Sequence, residues 1–481
     1  MIGKNVIEIG EKEFLDGMTT SPDTSDGGFS PETYAVNVVA DVNSTGVLYA
    51  TANASSITST NGRAIASCAD PDSGLGVSRY VLTDTGRFYG LDTNYASTLR
   101  QTGSKVYTKV TSDIVVYFNK LYATSTLNIT EASGAILGTI DENWWVTTKG
   151  KTALTANPHP MVVFENNLWI GDGKLLHKWD AINNVATSAF LTLPDGQIII
   201  ALVVDPSSGK MLISVSEGIN SNASLPRLAK VLTYDGFSAK VSRSVIVDDI
   251  VTAMYPLGGT VFMMFGNRLG YWNGSGITFL RRIAGATLDT TFLVYKHMIT
   301  SIGSTLYVAD GNRVTAFGDL YPGQKKFYPR AYFGGLLNAR LDCLFNLGSD
   351  FLGTAFELTA TAGTFDLWKI NIAAKTTGTL FFLSKKYKFP RPVYVREVRI
   401  EYADSITDNA TPAVVTLIDQ EKSSKALPVL TNDTGVATYV RNIKYNGPNK
   451  FTTLQFKYDN TATTSVIAGI RRILIYYDPA E

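Results

Sequence analysis

The sequence predicts an all-β protein built as a β-propeller of six or seven blades, with seven favoured. Three observations carry this. A unit of apolar strand, tight Asn/Gly/Asp turn and second strand returns about every 44 residues. Strand-forming residues dominate the composition, and no long segment shows the 3.6-residue apolar periodicity of an amphipathic helix. The clearest copies of the unit are MVVFENNLWIGDGKLLHKWD from Met161, TAMYPLGGTVFMMFGNRLGYWNG from Thr252 and HMITSIGSTLYVADGNRVTAFGD from His297. One such hairpin cannot bury its own apolar face, so the units must stack on neighbours at both sides.

Marking the first apolar residue after each turn gives Phe88, Leu121, Leu168, Leu212, Phe262, Leu306 and Leu352. The gaps are 33, 47, 44, 50, 44 and 46, with only the first out of line. Four-stranded blades need roughly 40–50 residues each, so seven marks fill most of residues 36–370. The composition agrees: 481 residues with 45% hydrophobic and 11% aromatic content suit a large packed core. Tyrosine, phenylalanine, threonine and valine favour strands, and 41 glycines with 17 prolines supply turns.

Taken from the start, residues 1–35 are polar and turn-rich and predict an extended arm, which becomes ordered only by lying on something else. Residues 36–374 form the predicted propeller. Within them GVLYATA from Gly46 reads as a single strand able to complete the last blade, since closure by strands from both ends removes exposed edges; it would also account for the short first gap. At KTTGTLFFLSKKYKFPRP, from Lys375, two prolines and a basic cluster mark a boundary. Beyond it Val398, Ile400 and Tyr402 alternate with Arg399 and Glu401, and Leu454, Phe456 and Tyr458 with Gln455 and Lys457, the signature of half-buried antiparallel strands. Residues 375–481 therefore predict a small β-sandwich or jelly-roll-like domain.

The net charge is +1, which gives the whole chain no pull toward nucleic acid or anionic membranes. Locally, residues 1–50 hold eight acidic residues against two lysines, and 380–400 hold six basic residues against Glu397. Two solvated surfaces explain this, or an acidic arm on one subunit meeting a basic patch on its neighbour. The longest apolar run, Ile198–Val204, has seven residues against the roughly 20 of a spanning helix. The acidic N-terminal stretch does not read as a secretory signal. Cys68 and Cys343 are read as buried free thiols, and the seven Asn-x-Ser/Thr sequons as polar loops.

Catalytic motifs are sparse. His159, His177 and His297 have no metal-ligand spacing, and GxSxG, GxxxxGK[ST] and CxxC are missing. Adjacent acids at Asp141/Glu142 and Asp248/Asp249 do not by themselves make a glycosidase pair, which needs two carboxyls several ångströms apart across a cleft. TDTGRFY at Thr83 is a single degenerate match to an Asp-box turn. DPDSGLG from Asp70 hints at calcium, but Val81 stands where an EF-hand needs glutamate. The sequence predicts no cofactor, no metal and no enzyme. Trp144 and Trp145 pack between blades or stack on a ligand.

EFLDGMTTSPDTSDGGFSPETYAVN from Glu13 and the closing IRRILIYYDP from Ile470 resemble the leader and final strand of β-propeller virion proteins of tailed bacteriophages, the tail-hub or nozzle proteins of the packaged-DNA stabilisation type. That resemblance implies a non-enzymatic ring subunit in the virion tail, made in the host cytoplasm, that extends the tail channel and helps retain packaged DNA. It implies a homo-oligomeric ring, six-fold, with other tail or neck proteins as partners and only transient, non-specific contact with DNA. Glu8, Glu11, Glu13 and Asp16, with Lys385, Lys386, Lys388 and Arg391, then become candidate intersubunit contacts. Propellers serve many functions, so two alternatives stay open: a tail-tip adhesin or carbohydrate-binding or -cleaving propeller, and a peptide-binding scaffold.

Overall fold

The computed structural model of the chain describes residues 5–9, 34–36, 38–40, 48–50, 54–69, 77–102, 104–132, 140–217, 229–238, 240–283, 294–311, 313–321, 324–332, 340–358, 364–372, 381–384, 387–406, 414–418, 424–426, 438–445, 448–459 and 470–480. Among these the fold is all-β, broken by single turns of helix at Trp144–Thr147 and Lys296–Met298. The chain divides into two compact units, one of residues 55–312 and 333–369, the other of residues 1–54, 313–332 and 370–481. No helix among the described residues is long and apolar enough to cross a membrane.

The first unit is β-propeller-like. Five four-stranded antiparallel sheets each take their strands in chain order, beginning at Ala64–Ala69, Ile114–Tyr117, Met161–Phe164, Gln197–Asp205 and Val251–Leu257. The hairpin Ile299–Ile302 and Thr305–Asp310 follows. The last sheet joins Arg340–Asn346, Phe351–Leu358 and Thr364–Asn371 to Ala54–Thr60, a strand from far upstream. Apolar layers fill the spaces between consecutive sheets. Leu168 and Ile170 pack with Trp144 and Trp179, whereas Trp169, between them in sequence, packs the opposite way with Ile199 and Met211. Successive side chains of a strand point to opposite faces, and both faces are covered, which is why Asn167–Asp172 is buried throughout. A further layer joins Val81, Tyr89 and Leu91 of the first of these sheets to Cys343, Phe345 and Leu367 of the last.

Two expectations are corrected here. The strand paired with the last sheet is Ala54–Thr60, whereas Leu48–Ala50, inside GVLYATA, pairs with Val38–Ala40 and, through Leu48, with Ile470. The short first gap has another cause. Leu121, Leu168, Leu212, Phe262, Leu306 and Leu352 all lie on the second strand of their sheets, but Phe88 lies on a third strand, Arg87–Asp92. The equivalent second strand is Val77–Thr83; Ser78 on it stands 43 residues before Leu121, in step with the rest.

In the second unit, eleven strands form one sheet around Tyr387–Ile406, which pairs antiparallel with Ile470–Pro479, Thr438–Lys444 and Phe451–Asp459. Asn5–Ile9 adds to Ile470–Pro479, with Ile7 and Ile9 buried. This part of the predicted arm is thus a regular alternating strand, short enough to escape a search for longer periodicity.

Candidate functional site

Asp113 is the centre of a polar cluster that joins distant segments of the chain. It immediately precedes Ile114–Tyr117, at a solvent-open depression that Ile65, Lys109, Thr252, Tyr295, Lys296 and His297 help to line. Asp113 Oδ2 accepts from Lys296 Nζ at 2.8 Å and from the Met161 N–H at 2.8 Å; Oδ1 accepts from His297 Nε2 at 2.7 Å and from its neighbour's N–H, Ile114, at 2.8 Å. Lys296 also donates to the Met161 carbonyl at 2.9 Å. One carboxylate therefore ties together the entries to three sheets or hairpins, those at Ile114, Met161 and Ile299. Burial alone would push the Asp113 carboxyl up, but the Lys296 ammonium and His297 outweigh it and hold the group well below the usual carboxylate range.

A second buried carboxylate, Asp342, completes the cluster. Lys109 forms an ion pair with it, and Arg63 Nε lies 3.3 Å from its Oδ2. Its partners come from the segments that lead into the sheets beginning at Ala64 and Ile114, so this pair of contacts spans the same inner region.

Asp172 anchors a separate cluster. It accepts from the Thr155 N–H at 3.0 Å and from the Thr155 hydroxyl, and it faces His159 Nε2 at 3.3 Å and His177 Nε2 at 3.6 Å. Burial alone would raise the pKa of this carboxyl, yet the His159 and His177 rings that face it and the Thr155 hydroxyl hold it well below its ordinary range. The hydrogen-bond network assigns the tautomers. His159 Nδ1 lies 3.0 Å from the Ser125 carbonyl and must donate to it; His177 Nδ1 accepts from the Ala189 N–H at 3.0 Å, so its proton sits on Nε2. That tautomer leaves His177 Nε2 without a lone pair for a metal, and no group of three or more His, Cys, Asp or Glu among the described residues is arranged to hold one.

The other residues singled out by sequence take local roles. Asp141 accepts from Thr147 and Thr148, Glu142 from Ser104, and Asp248 and Asp249 face Arg268 at 3.2 and 3.9 Å. Trp144 and Trp145 are buried, as the packing alternative expects. Cys343 is buried and burial pushes its thiol up to about 12, but Cys68 is only partly buried, a correction to its sequence-based reading. Glu8 is exposed on Asn5–Ile9 and pairs at 3.4 Å with Arg472 of the same sheet. Lys388 and Arg391 are exposed on Tyr387–Ile406. Glu11, Glu13, Asp16, Lys385 and Lys386 lie outside the described residues, as does the Asp70 loop. The Asp113 and Asp342 clusters have no local sequence signature, since Asp113 and Lys296 are 183 residues apart and Lys109 and Asp342 are 233 apart.

No protein family matches the chain, and no curated protein matches it. Among solved structures it is similar to the extracellular domain of a hybrid two-component system from B. thetaiotaomicron, at 12% identity and a TM-score of 0.48, over 88% of this chain and 61% of that one. The chain thus spans about three fifths of that domain's length.

Proposed function

We propose that this chain is a non-enzymatic structural subunit of a tailed-phage virion, a seven-bladed propeller used as an assembly module in a tail hub or nozzle ring. The seven blades are the six sheets of the first unit and, in sixth place, the blade that opens with the hairpin Ile299–Asp310. The domain of residues 375–481 is the small β-sandwich of the resemblance. The ring is homo-oligomeric and six-fold, contacts other tail or neck proteins, and touches packaged DNA only transiently. One observation carries the reading: the buried carboxylates of Asp113 and Asp342 are consumed in ion pairs that link separate sheets. Such groups stiffen a scaffold. A glycosidase instead needs one carboxyl held protonated by a raised pKa, and Asp113 is shifted the other way.

The test is electron microscopy of the purified full-length protein and of phage particles containing it. The expected outcome is a ring on the tail axis with this chain as its subunit. Monodisperse monomers, or copies only at peripheral fibre tips, would overturn the hub assignment and favour the adhesin alternative.

A further inference from the structure

The sheet that begins at Val251 carries an Asn-Gly pair, Asn273 and Gly274, in the turn between its third and fourth strands, Arg268–Trp272 and Ile277–Arg282. Both residues are exposed, and Gly274 holds φ at +84°, a left-handed backbone that glycine adopts freely. Three donors converge on the Asn273 side-chain carbonyl: the Ser275 N–H at 2.9 Å, the Ser275 hydroxyl at 2.9 Å and the Gly276 N–H at 2.8 Å. The Asn273 Nδ2 donates to Thr278 Oγ1 at 2.9 Å. Bonds from residues 275 and 276 to one oxygen fold the side chain back over the Gly274 peptide, which lies between them in the chain. The Asn273 N–H closes the turn on the Gly276 carbonyl at 3.1 Å. From the neighbouring sheet, Arg243 Nη1 donates to the Gly274 carbonyl at 2.6 Å.

This arrangement favours one reaction. The backbone nitrogen that follows an asparagine can attack the side-chain carbonyl carbon and close a five-membered ring. A side chain on that next residue crowds the approach, and glycine has none. The attack gathers negative charge on the carbonyl oxygen, and donors already aimed where charge develops lower the barrier. Holding the two reacting groups in one turn also removes part of the entropic cost of bringing them together.

We infer that Asn273 is a site of spontaneous deamidation, with the Ser275 N–H, the Ser275 hydroxyl and the Gly276 N–H stabilising the ring-closing intermediate. The Gly274 nitrogen gives its proton to solvent and bonds to Asn273 Cγ; the Cγ–Nδ2 bond breaks, and Nδ2 takes up a proton and leaves as ammonia. Water then opens the succinimide at either carbonyl, leaving aspartate or isoaspartate. Nothing is oxidised or reduced, and water is the only co-reactant. Aspartate keeps the turn, because a carboxylate accepts from the same three donors more strongly than an amide does, and it places a negative charge beside Arg243. Isoaspartate adds a backbone carbon inside the turn and breaks its match to the flanking strands. The site is independent of the role proposed for the whole chain: the covalent change is read on the isolated protein, ring formation on assemblies.

The test is peptide mass mapping of the full-length protein after incubation at neutral and mildly alkaline pH in water enriched in heavy oxygen, which marks each converted residue. Asn61, followed by Gly62, is the internal reference. It is also exposed, and its backbone is bonded to the Tyr89 and Thr85 hydroxyls, but among the described residues no donor reaches its side chain. Asn273 is expected to convert about threefold or more faster than Asn61, and faster at the higher pH, because the attacking nitrogen must lose its proton. Ser275→Ala removes one donor from an exposed turn and is expected to slow Asn273 by about threefold while leaving Asn61 unchanged. In urea, with the fold lost, the two sites should converge. An intact Asn273, conversion no faster than at Asn61, or an unchanged rate in Ser275→Ala would each overturn the proposal.

Discussion

Asp113 accepts four hydrogen bonds, two from side chains and two from backbone N–H groups. It is 3% exposed, so the Lys296 ammonium and His297 do not compete with much water for it. Asp113→Asn keeps the shape but removes the charge and one acceptor, leaving Lys296 and His297 facing an amide. Breaking a buried pair in this way costs on the order of 3 kcal/mol. The pH dependence follows from the depressed carboxyl. A group with a folded pKa below its unfolded value stabilises the fold above the unfolded value, near pH 4, and that contribution is lost as pH falls toward the folded pKa. Both Asp113 and Asp172 belong to this class. The parent is therefore expected to hold its urea midpoint down to about pH 4 and to lose stability steeply below it. Asp113→Asn should start lower and show a shallower acid limb; an unchanged acid limb would remove Asp113 from the account.

Three of the first hairpins of the propeller-like unit close through two-residue turns with positive φ at both central residues: Phe118–Asn119, Glu165–Asn166 and Gly258–Gly259. That is the turn whose twist matches the flanking strands, and it favours Asn and Gly. Asn and Gly therefore made these hairpins legible in the sequence. Phe118 and Glu165 carry no such signal, because the register set by the flanking apolar residues overrides their preference. A side chain in this region costs about 1–2 kcal/mol, and Asn tolerates it best after Gly. Glu165 is exposed, so Glu165→Asn changes little else and is expected to stabilise the fold by about 0.5–1 kcal/mol, read from the shift of the denaturant midpoint at constant slope. A loss of stability would mean that the Glu165 side chain makes contacts worth more than the relieved backbone. Asn5–Ile9 was illegible in the sequence because it is so short. Five residues of alternation suffice to place Ile7 and Ile9 in a core when a neighbouring strand is waiting, but they are too few to stand out in a polar stretch.

Local patterns revealed the repeat because each sheet is contiguous in sequence, while the polar links and the closing strand join residues hundreds of positions apart. The strand Ala54–Thr60 completes the sheet of Arg340–Asn346, Phe351–Leu358 and Thr364–Asn371, with Ser59 Oγ donating to Asp366 Oδ1 at 2.7 Å and Thr60 Oγ1 to the Phe365 carbonyl at 3.4 Å. Without it Thr364–Asn371 would present an unpaired edge, a template for pairing with another chain. Ile57 packs against the apolar layer that joins the last sheet to the first. Ile57→Asp places an unpaired carboxylate there, at a cost of roughly 2–3 kcal/mol, and opposes docking of the strand that covers the edge. A local defect would only lower the melting temperature. Loss of closure adds a second effect: the exposed edge makes the protein self-associate, so light scattering should rise with concentration at temperatures below the melt, whereas Ile57→Ala, which keeps the strand apolar, should melt lower without associating. Equal behaviour of the two variants would show that Ala54–Thr60 packs on the sheet without guarding its edge, and that the fold resists edge pairing by some other means.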